Sequence, residues 1–76
     1  MALINYLNEG FKDKQSIHGE TDNKYFIVVD TKGDKYLQID TYGSPDRQIP
    51  GKVSQSLQFS SKAIEELKVI LVKHFS

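Results

Sequence analysis

The strongest constraint on this chain is an alternation. In residues 36–42, Leu37, Ile39 and Thr41 fall on one side of an extended strand, and Tyr36, Gln38, Asp40 and Tyr42 on the other, because strand side chains point to opposite faces with period two. The first set calls for a core. The second forms a polar stripe with a tyrosine at each end. Residues 24–30 read as another strand, since Tyr25, Phe26, Ile27, Val28 and Val29 are all strand formers. Both faces of that strand are apolar, so it is expected to be covered on both sides, or on one side by the chain and on the other by a partner. Thr31, Lys32, Gly33 and Asp34 make the turn between the two, with Gly33 supplying the positive φ that a tight hairpin needs.

A sheet face with spaced tyrosines and lysines beside it suits single-stranded nucleic acid. Flat rings stack on bases and cations follow the phosphates. Tyr36 and Tyr42 are the candidate stacking residues, and Lys24, Lys32 and Lys35 the neighbouring cations. The plainer alternative is a solvated face with two ordinary strand tyrosines, because tyrosine is simply a good strand residue.

The next segment, residues 43–51, reads as a loop punctuated by Pro45 and Pro50. Arg47 within it and Lys52 just after it make it either a candidate ligand loop or a plain connector. Residues 53–59 alternate again, with Val53, Gln55, Leu57 and Phe59 on one face and Ser54, Ser56 and Gln58 on the other. A helix is then expected. Ser60 is a good N-cap, and Phe59 and Ile64 occupy hydrophobic-staple positions. Ala63, Ile64, Leu67, Ile70, Leu71 and Phe75 form an apolar stripe at helical spacing. His74 falls in the same arc, as a packed or partner-facing side chain. Glu65, Glu66, Lys68 and Lys73 are expected on the wet face. Val69 and Val72 add apolar surface beyond what one small sheet needs, so the helix is expected to pack against a second copy, with Leu67, Ile70, Leu71 and Phe75 in the seam.

Residues 1–23 are less legible. Leu3, Ile4 and Leu7 fit one face of a short helix, and residues 4–7 equally fit a strand. Residues 15–18 fit a short strand, closed by Gly19 and the polar run after it, with His18 as an ordinary exposed histidine. The chain therefore divides into an N-terminal segment, 1–23, and a core, 24–76.

At 76 residues the chain makes one domain with a small core, so a partner subunit would help it. The absence of cysteine excludes disulfides, Cys-ligated zinc and a catalytic thiol. The two histidines sit in no metal spacing, and no metal or cofactor is expected. No nucleophile–base pair stands out, and neighbouring Glu65 and Glu66 point about 100 degrees apart on a helix, so no catalytic role is expected. No apolar run approaches the roughly 20 residues of a membrane span, and the N-terminus lacks a signal-peptide pattern. An intracellular, non-membrane protein is the expectation. Net charge is zero, which counts against nucleic acid. Yet in residues 41–64 the only acid is Asp46, against Arg47, Lys52 and Lys62, so a local positive patch is compatible with a neutral chain.

Residues 24–71 resemble the positive cofactor four family of single-stranded-DNA-binding transcriptional coactivators. The resemblance is carried by residues 25–33, by residues 37–42, by Pro50, Gly51 and Lys52, by residues 56–59, and by the helix opening at Ser60. The ordered set spans roughly two-thirds of the chain. It implies a ββββα fold, a four-stranded antiparallel curved sheet followed by a C-terminal helix, dimerising through that helix and binding single-stranded DNA on the sheet. Lys32 matches a DNA-contacting lysine of the turn, and Lys52 falls in the family's basic loop. Thr31 replaces an aromatic, Asp34 a lysine, and Gly43 a stacking tryptophan. The acidic, serine-rich arm of the eukaryotic members is missing. A bacterial or phage relative is thus implied, in the cytoplasm or nucleoid, working in replication, recombination or transcription with the proteins of those processes.

Two rival readings remain open. One is a double-stranded-RNA-binding-like αβββα domain, with a helix at residues 3–9 and a last helix poor in phosphate-binding cations. The other is a protein-interaction or inhibitor module with no nucleic-acid partner, which the neutral charge favours.

Overall fold

The computed structural model of the protein describes residues 1–43 and 52–76. Four strands and a helix follow one another: β1 (Ala2–Ile4), β2 (Asn23–Val29), β3 (Lys35–Thr41), β4 (Gln55–Ser60) and α1 (Ser61–Phe75). The class is α+β, in the order ββββα. The strands form one sheet in the order β1-β4-β3-β2.

The β2–β3 hairpin forms where the alternation places it. Asp30 organises its turn. One carboxylate oxygen accepts the N–H groups of Lys32 at 2.8 Å and Asp34 at 3.0 Å, an Asx-type turn. The Gly33 N–H donates to the Asp30 carbonyl at 3.1 Å, with Gly33 at φ 88. The register pairs Tyr25 with Ile39, Phe26 with Gln38 and Lys24 with Asp40. The β3–β4 ladder pairs Leu37 with Phe59, Ile39 with Leu57, Gln38 with Gln58 and Asp40 with Ser56.

The sheet is mixed rather than antiparallel throughout. β1 runs parallel to β4, pairing Ala2 with Leu57 and Ile4 with Phe59. A hairpin would force neighbouring strands antiparallel. β1 instead meets β4 only after β2 and β3 have been laid down, and such a long crossover permits the parallel pairing. Ala2–Ile4 is accordingly a strand, not the start of a helix, and it shares the sheet with the core rather than standing apart. Residues 15–18 form no strand. Two further bonds hold the N-terminal segment to the helix start. The Leu7 N–H donates to Glu66 Oε1 at 3.0 Å, and Ser60 Oγ donates to Asn5 Oδ1 at 2.7 Å.

α1 begins as its cap requires. Ser60 has extended backbone, φ -68 and ψ 164, and its Oγ accepts the Ala63 N–H at 3.2 Å. Such a cap contributes about 1 kcal/mol. The helix contacts β3 and β4. Ala63 is fully buried, and Ile64, Glu66 and Leu67 are half-buried. Glu66 thus leaves the wet face, because it receives the Leu7 N–H. From Lys68 onward every residue is exposed, His74 included.

The single chain has almost no core. Ala63 is its one buried hydrophobic residue among those described. β2 is an edge strand and is not covered on both sides. On the helix side, Tyr25, Ile27 and Val29 remain 72%, 60% and 55% exposed. The helix is too short of β2 to reach them, since it lies on β3 and β4. No helix among the described residues is long and apolar enough to cross a membrane.

Candidate nucleic-acid interface

The two faces of the sheet differ in chemistry because the register aligns like with like. Directly paired residues share a face. The helix side therefore gathers Ile27, Leu37, Ile39, Leu57 and Phe59. The opposite, open side gathers Lys24, Phe26 and Val28 from β2, Tyr36, Gln38 and Asp40 from β3, and Ser56 and Gln58 from β4. Leu3 of β1 joins them beside Gln58.

A chain of hydrogen bonds crosses the middle of this open side. Gln58 Nε2 donates to Gln38 Oε1 at 2.9 Å, and Gln38 Nε2 donates to Asp40 Oδ1 at 3.0 Å. Ser56 Oγ donates to the same Asp40 oxygen at 2.6 Å. Asp40 is only 7% exposed. An ionised carboxylate only accepts hydrogen bonds, so it fixes the polarity of the whole row. Gln38 must turn its NH₂ toward Asp40 and its carbonyl toward Gln58, which then presents its own NH₂. Above the row lies an open groove of about 360 Å³, walled by Met1, Leu3 and Val53 and floored by Gln38, Asp40, Ser56 and Gln58.

The two expected stacking tyrosines stand at opposite ends of β3. Tyr36 is half-buried, and its hydroxyl donates to Asp30 Oδ2 at 3.3 Å. The negative charge of Asp30 raises the Tyr36 phenol above its ordinary value, helped by desolvation, by that hydrogen bond and by Asp34. Tyr42, also half-buried, follows the strand end. Its N–H donates to the Asp22 carbonyl at 3.0 Å, and the Lys24 ammonium lies 5.8 Å from its ring centroid. Lys24 faces Asp40 in the register, yet no ion pair joins them. Among the described residues the one ion pair is Lys68–Glu65. Lys24 is therefore a cation offered at a tyrosine face rather than one neutralised by the buried carboxylate.

The remaining expected cations separate. Lys32 is exposed in the β2–β3 turn, at the Tyr36 end. Lys52 is exposed two residues before Ser54, whose N–H donates to the Thr41 carbonyl at 2.7 Å, so it enters at the Tyr42 end. About 20 Å of strand lies between these ends, at roughly 3.4 Å per residue. Lys35 pairs with Val29 and shares the helix side with Leu37, on the face opposite Gln38 and Asp40, although it lines the same surface gaps as Tyr36. Arg47 lies outside the described residues.

Phe26 joins the residues of this open side and is not singled out by the sequence. It sits opposite Gln38 on the open side, 42% exposed. Its strand is apolar on both faces, so only the register with Gln38 assigns its direction. Asp40, Gln38, Ser56 and Gln58 are visible in the sequence as two polar stripes, but their union depends on the β3–β4 register across a long loop.

The seam residues expected on α1 divide as well. Leu67 is half-buried in its own chain, whereas Ile70, Leu71 and Phe75 are exposed together with Val69 and Val72. A second gap, of about 350 Å³, lies between sheet and helix, lined by Ile27, Leu37, Ile64 and Lys68 among others.

Compared with protein-family models, with curated proteins and with solved structures, the chain matches none.

Proposed function

We propose that the protein binds single-stranded DNA on the open side of its sheet, as a homodimer closed over the other side, and that it has no catalytic activity. The observation that carries this reading is the division of the sheet. One side holds the rings of Phe26 and Tyr36 around a hydrogen-bonding floor, with Lys24 on it beside the Tyr42 ring and Lys32 and Lys52 at its ends. The other side is apolar and largely uncovered in one chain. Stacking rings and cations at the margins fit a flexible strand whose bases can splay out. A second copy fits the bare apolar side, because a chain this small needs more burial than Ala63 and the half-buried residues supply. Residue order and the exposed lysine positions also fit the positive cofactor four pattern, and with it work in replication, recombination or transcription alongside the proteins of those processes.

The double-stranded-RNA-type rival has less support, since Ala2–Ile4 form a strand within the stretch that it reads as a helix, residues 3–9. A protein-interaction module keeps one observation in its favour, the zero net charge.

Substitution by face tests the reading. Phe26→Ala, on the open side, should weaken binding of a labelled single strand in an anisotropy titration, by the roughly 1–3 kcal/mol that one base–aromatic stack supplies. Lys35→Ala, on the helix side, should leave it nearly unchanged. The reverse ranking in folded variants would reject the open side as the binding surface.

A further inference from the structure

The hydrogen-bonded row beneath the open groove does more than tie β3 to β4. Both bonds that Asp40 receives from described residues fall on Oδ1. Oδ2 receives none from them, and no buried side-chain oxygen or nitrogen among the described residues is left without a partner, so Oδ2 is not fully enclosed. Asp40 lines the groove. The Gln38 amide nitrogen beside it, and that of Gln58 one place further along the row, each carry a second N–H beyond the one used in the row. The groove thus offers a carboxylate acceptor next to amide donors, between apolar walls at Met1, Leu3 and Val53. A phosphate is repelled by the carboxylate. A flat heterocycle with a donor beside an acceptor is matched by it.

We propose that this groove reads the edge of one unstacked nucleobase and selects bases that carry an exocyclic amino group, cytosine above all, over uracil or thymine. This rests on the single-strand-binding reading and deepens it. Cytosine presents its N4 amino group as donor and its N3 as acceptor. The amino group donates to Asp40 Oδ2, and an amide N–H of Gln38 or Gln58 donates to N3. Uracil and thymine reverse both groups. Their O4 carbonyl would face the carboxylate, and their N3–H would face an N–H. An unpaired acceptor set against a desolvated carboxylate is the kind of mismatch that discriminates strongly. The apolar walls accept the ring without adding a preference of their own.

Oligo(dC) and oligo(dU) of equal length are the probes, since the two bases differ only at the pairing edge. Anisotropy titrations with the full chain should give a Kd for oligo(dC) lower by about tenfold, within the range of one well-made base-edge contact. Asp40→Asn keeps the shape and an oxygen for Ser56 and Gln38 but turns Oδ2 into an N–H donor. In this variant the preference should shrink to parity or reverse toward oligo(dU). Equal wild-type affinities within about twofold, or tighter binding of oligo(dU), overturn the inference while leaving single-strand binding intact. A folded Asp40→Asn protein that keeps the full wild-type ratio also overturns it. Should that variant not fold, the wild-type ratio decides alone. No binding to either strand overturns the single-strand reading and this inference together.

Discussion

Asp30 has three tasks within six residues. It caps its own turn by accepting the Lys32 and Asp34 N–H groups, and its second oxygen takes the Tyr36 hydroxyl. Its charge raises the Tyr36 phenol above the ordinary range, because ionising the phenol would set two negative charges together. The sign follows directly. A group whose folded pKa lies above its unfolded value adds stability that is complete below the unfolded value, near 10, and is lost as pH rises through the folded value. In a spectrophotometric titration of the four tyrosines, one should ionise later than the rest. Tyr36→Phe should remove that late step, and Asp30→Asn should bring it earlier. A late step that survives Tyr36→Phe would contradict the assignment. The same scale separates rings from cations in binding. Tyr42→Ala should weaken binding by about 1–3 kcal/mol with little change in salt dependence. Lys52→Ala should flatten the log–log salt slope by about 0.7, the share of one phosphate contact on a single strand.

Among the elements, the hairpin and the helix start are legible from sequence, and the edges of the sheet are not. β3 alternates, so its faces follow from residue type alone, and Leu37 and Ile39 do turn toward the helix. Ser60 is a cap by its chemistry and its place. β2 is apolar on both sides, so only its register with β3 assigns Phe26 and Tyr25 their faces. β1 is a three-residue strand whose partner lies far along the chain, and so short a segment has no period to read. Lys35 shows the same limit in reverse, since it adjoins Tyr36 in sequence while the pleat sets it on the face of Leu37. The helix start offers a test. Ser60→Ala removes the cap to Ala63 and the bond to Asn5 at once. It should lower the unfolding free energy by about 1–2 kcal/mol in urea titration. Ser60→Thr keeps both groups and should restore most of it. Equal midpoints for all three proteins would show that neither bond contributes.

For the whole molecule the decisive feature is the imbalance between the two sides of one sheet. The helix side exposes Tyr25, Ile27 and Val29 while the far half of α1 exposes Val69, Ile70, Leu71, Val72 and Phe75. Exposed apolar area of this kind marks an interaction surface, and a symmetric dimer would hide it on both copies. Sedimentation of the wild type should show dimers. Leu71→Asp, which puts a carboxylate into the seam, should give monomers or unfolded chain, because an unpaired charge is costly to bury. A wild type that stays monomeric at high micromolar concentration would contradict the dimer. Were a second copy to close the helix side, the open side would be what remains for the proposed single strand. Equilibrium titration of the dimer with a single strand and with a duplex of the same length, across a range of salt, tests that most directly. Tighter binding of the single strand is expected, with a log–log slope of roughly −2 to −4, from about three to five phosphate contacts. Equal or tighter binding of the duplex would contradict it.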